Sequence, residues 1–133
     1  HFEDSLGTCH FTTRTYMGLI CSALNAVTGW DYTKEEALAF GKRCSALMRV
    51  FNLRSGLGMA AEKPSERYWS TPVDGPAAGR SAKENWDVMV NAYYETYGLD
   101  GESGRPLPET LRRLGLEDII PEIWGKEEVR VGG

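Results

Sequence analysis

The sequence predicts an all-α, multihelical fold, and three observations carry that expectation. Apolar residues recur at helical spacing in three long segments and one short one. Helix punctuation brackets these segments, with Thr33-Lys34-Glu35-Glu36 and Ser81-Ala82-Lys83-Glu84 in front of two and Gly29, Gly98 and Gly115 behind three. No run alternates apolar and polar residues for long enough to make a strand.

In the first segment Tyr16, Leu19, Ile20, Ala23, Leu24 and Val27 form one stripe, which predicts a helix from Thr12 to Thr28 stopped by Gly29. The second opens on the Thr33–Glu36 capping box and carries Ala37, Phe40, Gly41, Cys44, Leu47, Met48 and Phe51, with Gly56 just beyond its end. A long connection from Gly56 to Gly79 holds Pro64, Pro72 and Pro76 and predicts no regular structure; connections of that length are often functional. The third helix opens on a second capping box at Ser81, places Trp86, Met89, Val90, Tyr93 and Tyr97 on one face, and ends at Gly98. The fourth is short, with Pro108 in its first turn, Leu111 and Leu114 inward and Gly115 as the stop. A last turn or two is expected from Leu116 to Trp124. One helical domain over residues 1–125 and a flexible tail over 126–133, loosest from Val129 to Gly133, complete the expected organisation.

Length and charge narrow the function. A chain of 133 residues suffices for one compact domain with a core of its own and is too short for two domains. A net charge of −4 with scattered basic residues, Arg112-Arg113 the densest, argues against a nucleic-acid surface. No apolar run approaches a membrane span, and no signal-peptide pattern opens the chain. Cys9, Cys21 and Cys44 form neither a disulfide framework nor a close metal-binding pair, which suits the cytoplasm.

The chemistry-bearing segment is Asp4-Ser5-Leu6-Gly7-Thr8-Cys9. Asp4-x-x-Gly7 reads as a turn in which the Asp4 side chain bonds forward to backbone N–H groups and Gly7 takes a positive φ. Cys9 offers a thiolate, the soft ligand of iron–sulfur clusters, and a carboxylate such as Asp4 matches the N–H donors of a pterin ring. Alone, this spacing also describes a plain turn beside an inert cysteine.

The segment is similar to the Asp-x-x-Gly-x-Cys tungstopterin motif of the aldehyde:ferredoxin oxidoreductase family. Further phrases resemble that family in the same order: Ala26-Val27-Thr28-Gly29, Gly41-Lys42-Arg43, Arg49 to Gly56, Tyr93-Tyr94 with Gly98-x-Asp100, and Leu111-x-x-Leu114-Gly115-Leu116. The resemblance runs to about Leu116 and implies the multihelical orthogonal bundle of the family's C-terminal domain. It also implies that Asp4 hydrogen-bonds a tungsten (or molybdenum) bis-pterin, that Leu6, Gly7, Thr8 and Cys9 line the cofactor, and that Cys9 ligates a [4Fe-4S] cluster. The family's other cluster cysteines form a Cys-x-x-Cys-x-x-x-Cys group upstream. The implied partners are therefore upstream domains of the same protein, ferredoxin and a small aldehyde or related carbonyl substrate. The isolated chain is expected to bind no metal and to be inactive. Thr8 in an apolar position, the sequence Glu62 to Arg67 and Leu99 in place of a tryptophan depart from the family pattern, so substrate is not carried over. The competing expectation is a stand-alone helical interaction or regulatory module without cofactor.

No catalytic residue is assigned. His10, beside Cys9, and His1 are candidate proton carriers; Cys21 and Cys44 read as small core residues. Arg49 and Arg54 read as salt-bridged residues near a helix end, or alternatively as contacts to cofactor phosphate or a partner domain. Tyr93, Tyr94 and Tyr97 read as a core-and-rim stripe.

Overall fold

The computed structural model describes residues 1–14 and 16–125. Among them it is all-α, with no strand and a single isolated bridge between Leu99 and Pro106. The elements are α1 (Phe2–Ser5), α2 (His10–Thr13), α3 (Met17–Thr28), α4 (Lys34–Arg54), α5 (Glu66–Trp69), α6 (Trp86–Tyr97), α7 (Pro108–Arg113) and α8 (Ile120–Trp124). The expected tail over 126–133 lies outside the described residues.

α4 is the spine. Its 21 residues extend over about 30 Å at the usual helical rise. Its capping box is closed in both directions: the Glu36 amide donates to Thr33 Oγ1 at 3.2 Å, and the Thr33 amide donates to Glu36 Oε2 at 2.8 Å. Near its start α4 supplies Ala37 and Phe40 to a cluster with Phe2, Ile20, Cys21, Met17, Leu24 and Tyr32. Further along, Ala46 joins Leu111, Leu116 and Ile120, with Leu114, Ile119 and Trp124 at the edge. One helix therefore carries two cores.

The expected first helix is split. α2 ends at Thr13, its C-cap Arg14 takes a φ of 47° outside the right-handed region, and α3 begins only at Met17. The physical reason is local competition: Thr12 and Thr13 are β-branched, and the Thr13 hydroxyl is drawn to the Glu3 carboxylate instead of supporting a continuous helix. The capping box expected at Ser81 also differs. Ser81 Oγ accepts from the Lys83 amide at 3.2 Å and donates to the Trp69 carbonyl at 2.9 Å. That tighter bond winds Ala82–Asn85 into a 3₁₀ turn, and α6 starts at Trp86. The Ser81 bond and an edge-to-face contact between Trp69 and Trp86 (ring centroids 5.3 Å apart) pin the long connection to α6. That connection holds a 3₁₀ turn at Met59–Ala61 and α5, where none was expected, while residues 70–80 are exposed throughout.

The apolar stripes are only half used. Ile20 and Cys21 are buried, yet Leu19 and Val27 on the same helix are exposed; on α4, Ala46 and Val50 face inward, while Leu47, Met48 and Phe51 face solvent. On α6 the buried ring is Tyr94, not Tyr93. Leu111 is fully enclosed as expected, and Leu114 packs at the rim of its cluster.

Candidate functional site

The Asp4–Cys9 segment is held to the body by Phe2. Its ring stacks on Tyr32 with centroids 5.6 Å apart and meets Phe40 edge-on at 5.8 Å, so α1 is pinned against the start of α4. From that anchor the chain turns back on itself. The Gly7 amide donates to the Asp4 carbonyl at 3.1 Å, and Gly7 takes φ +68° with open space where a Cβ would sit. The turn expected from Asp4-x-x-Gly7 is present, but among the described residues the Asp4 side chain takes no forward backbone bond. Its exposed carboxylate lies 3.3 Å from the His1 amino nitrogen.

Leu6, Gly7, Thr8 and Cys9 are all exposed. Cys9 is the N-cap of α2, in extended conformation, and its carbonyl accepts from the amides of Thr12 at 2.9 Å and Thr13 at 3.0 Å. The backbone amide of Thr12, the Thr12 hydroxyl and the Phe11 amide favour the thiolate and hold Cys9 below the ordinary thiol range, although the sulfur does not close a full side-chain cap. An exposed, thiolate-favouring sulfur on an open loop fits a cluster ligand. One thiolate cannot hold a cluster, and among the described residues no group of three or more His, Cys, Asp or Glu is arranged to hold a metal. The remaining ligands would come from elsewhere.

Glu3, which no motif or periodicity singles out, is the centre of this region. It is buried between core Phe2 and the exposed loop, its carbonyl accepts from the amides of Leu6 and Thr8, and its carboxylate faces His10 Nδ1 at 3.2 Å and the Thr13 hydroxyl. Those bonds from Thr13 first and His10 second hold the Glu3 carboxyl below its ordinary value. Its partners stand seven and ten residues away across a turn, a spacing that matches no single element, so no periodic pattern marks it. His10 is thus tied to Glu3 and His1 to Asp4, and both histidines line a cleft of about 400 Å³ with Lys42, Ser45 and Tyr97.

The other candidates are structural. Cys21 is buried against α4, and Cys44 is half-buried on α4. Arg54 pairs with Glu122 at 3.0 Å. Arg49 pairs with Glu62 and donates to Tyr94 Oη at 3.2 Å, while Tyr94 donates to Glu62 at 2.5 Å. Both arginines therefore follow the salt-bridged reading. Tyr93 and Tyr97 pack ring to ring at 4.4 Å on the rim above buried Tyr94.

Residues 1–116 match the family model described as aldehyde ferredoxin oxidoreductase, domains 2 and 3. The chain is 36% identical over 123 residues to a tungsten-containing aldehyde ferredoxin oxidoreductase of Pyrococcus abyssi, covering 88% of this chain and 19% of that protein. It is 35% identical over 122 residues to the protein of the same description from Pyrococcus furiosus, covering 87% and 19%. A WOR-like subunit described as an aliphatic sulfonate oxidoreductase, also from P. furiosus, is 30% identical over 129 residues, covering 92% and 20%. The chain thus spans about a fifth of the length of these relatives.

Proposed function

The chain belongs to the aldehyde ferredoxin oxidoreductase family, and from that premise we propose that it forms one wall of the cofactor site in a larger tungsten-pterin, iron–sulfur oxidoreductase. The observation that carries this reading is the exposed loop Asp4–Cys9, lying inside the matched region and presenting a thiolate-favouring sulfur. Cys9 supplies one cluster ligand, and Asp4 offers its exposed carboxylate to pterin N–H donors. Leu6, Gly7 and Thr8 line the cofactor, with Gly7 leaving room for close backbone approach. The tungsten-pterin that Asp4 would help hold (with molybdenum as the alternative metal) would supply oxidation of an aldehyde or related carbonyl compound, and the [4Fe-4S] cluster that Cys9 would help ligate would supply electron transfer to ferredoxin.

Partner domains supply the other ligands and cover the unused apolar faces. Phe11 and Val27 are each 88% exposed and Phe51 is 71% exposed, which favours a chain packed on a larger body over a stand-alone module. No helix among the described residues is long and apolar enough to cross a membrane. The three free cysteines suit the reducing cytoplasm.

Metal analysis of the full-length protein, purified anaerobically, tests the reading. Tungsten or molybdenum together with about four iron atoms per chain, the iron signal altered in Cys9→Ser, is the expected result. Absence of all three metals overturns it.

A further inference from the structure

We propose that Glu3 is the positioning residue for Cys9, clamping the chain on both sides of the sulfur-bearing residue from one buried point. The inference rests on the reading that Cys9 ligates the cluster and goes beyond it by naming what aims that ligand.

The geometry is a two-sided clamp. On the N-terminal side of Cys9, the Glu3 carbonyl accepts from the amides of Leu6 and Thr8 and from Thr8 Oγ1, each at 3.1 Å. On the C-terminal side, the Glu3 carboxylate accepts from the Thr13 hydroxyl and from His10 Nδ1 at 3.2 Å. A carboxylate accepts only, so His10 must present its Nδ1 proton to it. Thr13 Oγ1 also lies 3.2 Å from the Cys9 carbonyl, so the same hydroxyl that meets Glu3 abuts the cysteine's own backbone.

Behind the clamp stands the core. Phe2, the preceding residue, is wedged between Tyr32 and Phe40, so Glu3 cannot shift without disturbing the packing at the start of α4. Burying a carboxylate is costly unless its oxygens are satisfied, and here both are, by two residues of α2, the short helix that Cys9 caps. The carbonyl bonds to Leu6 and Thr8 survive a change of side chain, whereas on the C-terminal side His10 and Thr13 present two donors, and an acceptor with two equivalent oxygens is the group that bridges them. A glutamine in its place sets an amide N–H₂ against one of them, and an alanine releases both.

Glu3 acts through the direction of the Cys9 sulfur, by the bonds that hold the chain on either side of it. The test is made on the full-length enzyme, purified anaerobically, in the forms Glu3→Gln, Glu3→Ala, Thr13→Val and Cys9→Ser. Iron per chain is measured with the electron paramagnetic resonance spectrum and midpoint potential of the reduced cluster. Glu3→Ala is expected to shift the spectrum and potential in molecules that keep full iron, and to lose iron at least twofold faster to a mild chelator. Glu3→Gln and Thr13→Val should shift the spectrum in the same sense by a smaller amount. If Cys9→Ser alters the cluster while Glu3→Ala, Glu3→Gln and Thr13→Val all match the parent, the clamp is overturned and the ligand assignment stands. If Cys9→Ser leaves the cluster unchanged, the ligand assignment itself fails and the clamp falls with it. Should Glu3→Ala not accumulate, Thr13→Val decides alone, an altered spectrum supporting the clamp and an unaltered one overturning it.

Discussion

Arg49 donates through Nε to the carbonyl of Gly104 at 2.7 Å, joining the spine helix to a backbone loop 55 residues further along the chain. Its guanidinium also pairs with Glu62 and lies over the Tyr94 ring at 5.6 Å, so one side chain ties together three segments. Arg49→Ala leaves Glu62 half-buried without its cation and is expected to cost about 2–4 kcal/mol. Arg49→Lys keeps the charge but loses the planar fork and should recover only part of that. Equilibrium urea unfolding checks this: midpoints should fall in the order parent, lysine, alanine, at unchanged slope.

Glycine substitutions should separate conformational strain from collision. Gly29 has φ +76° and nothing within 4 Å of a built Cβ, so Gly29→Ala should cost about 1–2 kcal/mol, the price of a left-handed alanine. Gly98 has φ +63°, and its Cβ would run into the hydroxyl of Thr110, itself only 3% exposed. Gly98→Ala should therefore cost about 2–4 kcal/mol, strain and overpacking together. Equal melting temperatures for the two variants would refute the collision.

Acid should weaken the fold through three identifiable carboxylates. Thr13 and then His10 lower Glu3, the Thr33 amide and hydroxyl lower Glu36, and the Ser103 hydroxyl and amide lower Asp100. Each folded-state value lies below the unfolded one, so the unfolded chain binds more protons as the pH drops. Their stabilisation is fully present above the ordinary carboxylate range and is lost as the pH falls through the depressed values. Unfolding free energies measured from pH 6 down to pH 3 should decline, and less steeply in Glu36→Gln and Asp100→Asn.

Thiol chemistry should single out Cys9. It is exposed and thiolate-favouring, Cys44 is half-buried, and Cys21 is buried with its Sγ 3.6 Å from the Thr33 carbonyl. Iodoacetamide at neutral pH should label Cys9 of the metal-free chain first and reach Cys21 only in denaturant. Peptide mass mapping reads the order. Early labelling of Cys21 would contradict the packing of the first core.

The helices were legible because their punctuation is local. Thr33 with Glu36, and the glycines at 29, 98 and 115, mark their boundaries within a few residues of sequence. What failed was decided by partners far away or across short turns. The break at Arg14 depends on Thr13 being drawn to Glu3, and the 3₁₀ turn at Ala82–Asn85 depends on Ser81 reaching Trp69. The stripes misled for another reason. Leu47, Met48 and Phe51 look like core by spacing, but periodicity reports only that a face is apolar, not that this chain covers it. At the candidate site, the turn at Gly7 was readable from residue type, whereas Glu3 could be recognised only from its burial.

Because one helix serves both cores, the two close at very different sequence distances. Phe2, Ile20, Cys21, Ala37 and Phe40 all lie within residues 1–40, so a chain emerging from the ribosome has every member of that cluster outside before α4 has fully emerged. Ala46 must wait for Leu111, Leu116 and Ile120, and Arg49 for Gly104, with the exposed run 70–80 spooling out in between. Loop-closure entropy grows only logarithmically with such a span, so the long excursion costs little at equilibrium. It matters instead as an interval during synthesis, when the loop that carries Cys9 is already anchored while the far half of the spine is still bare.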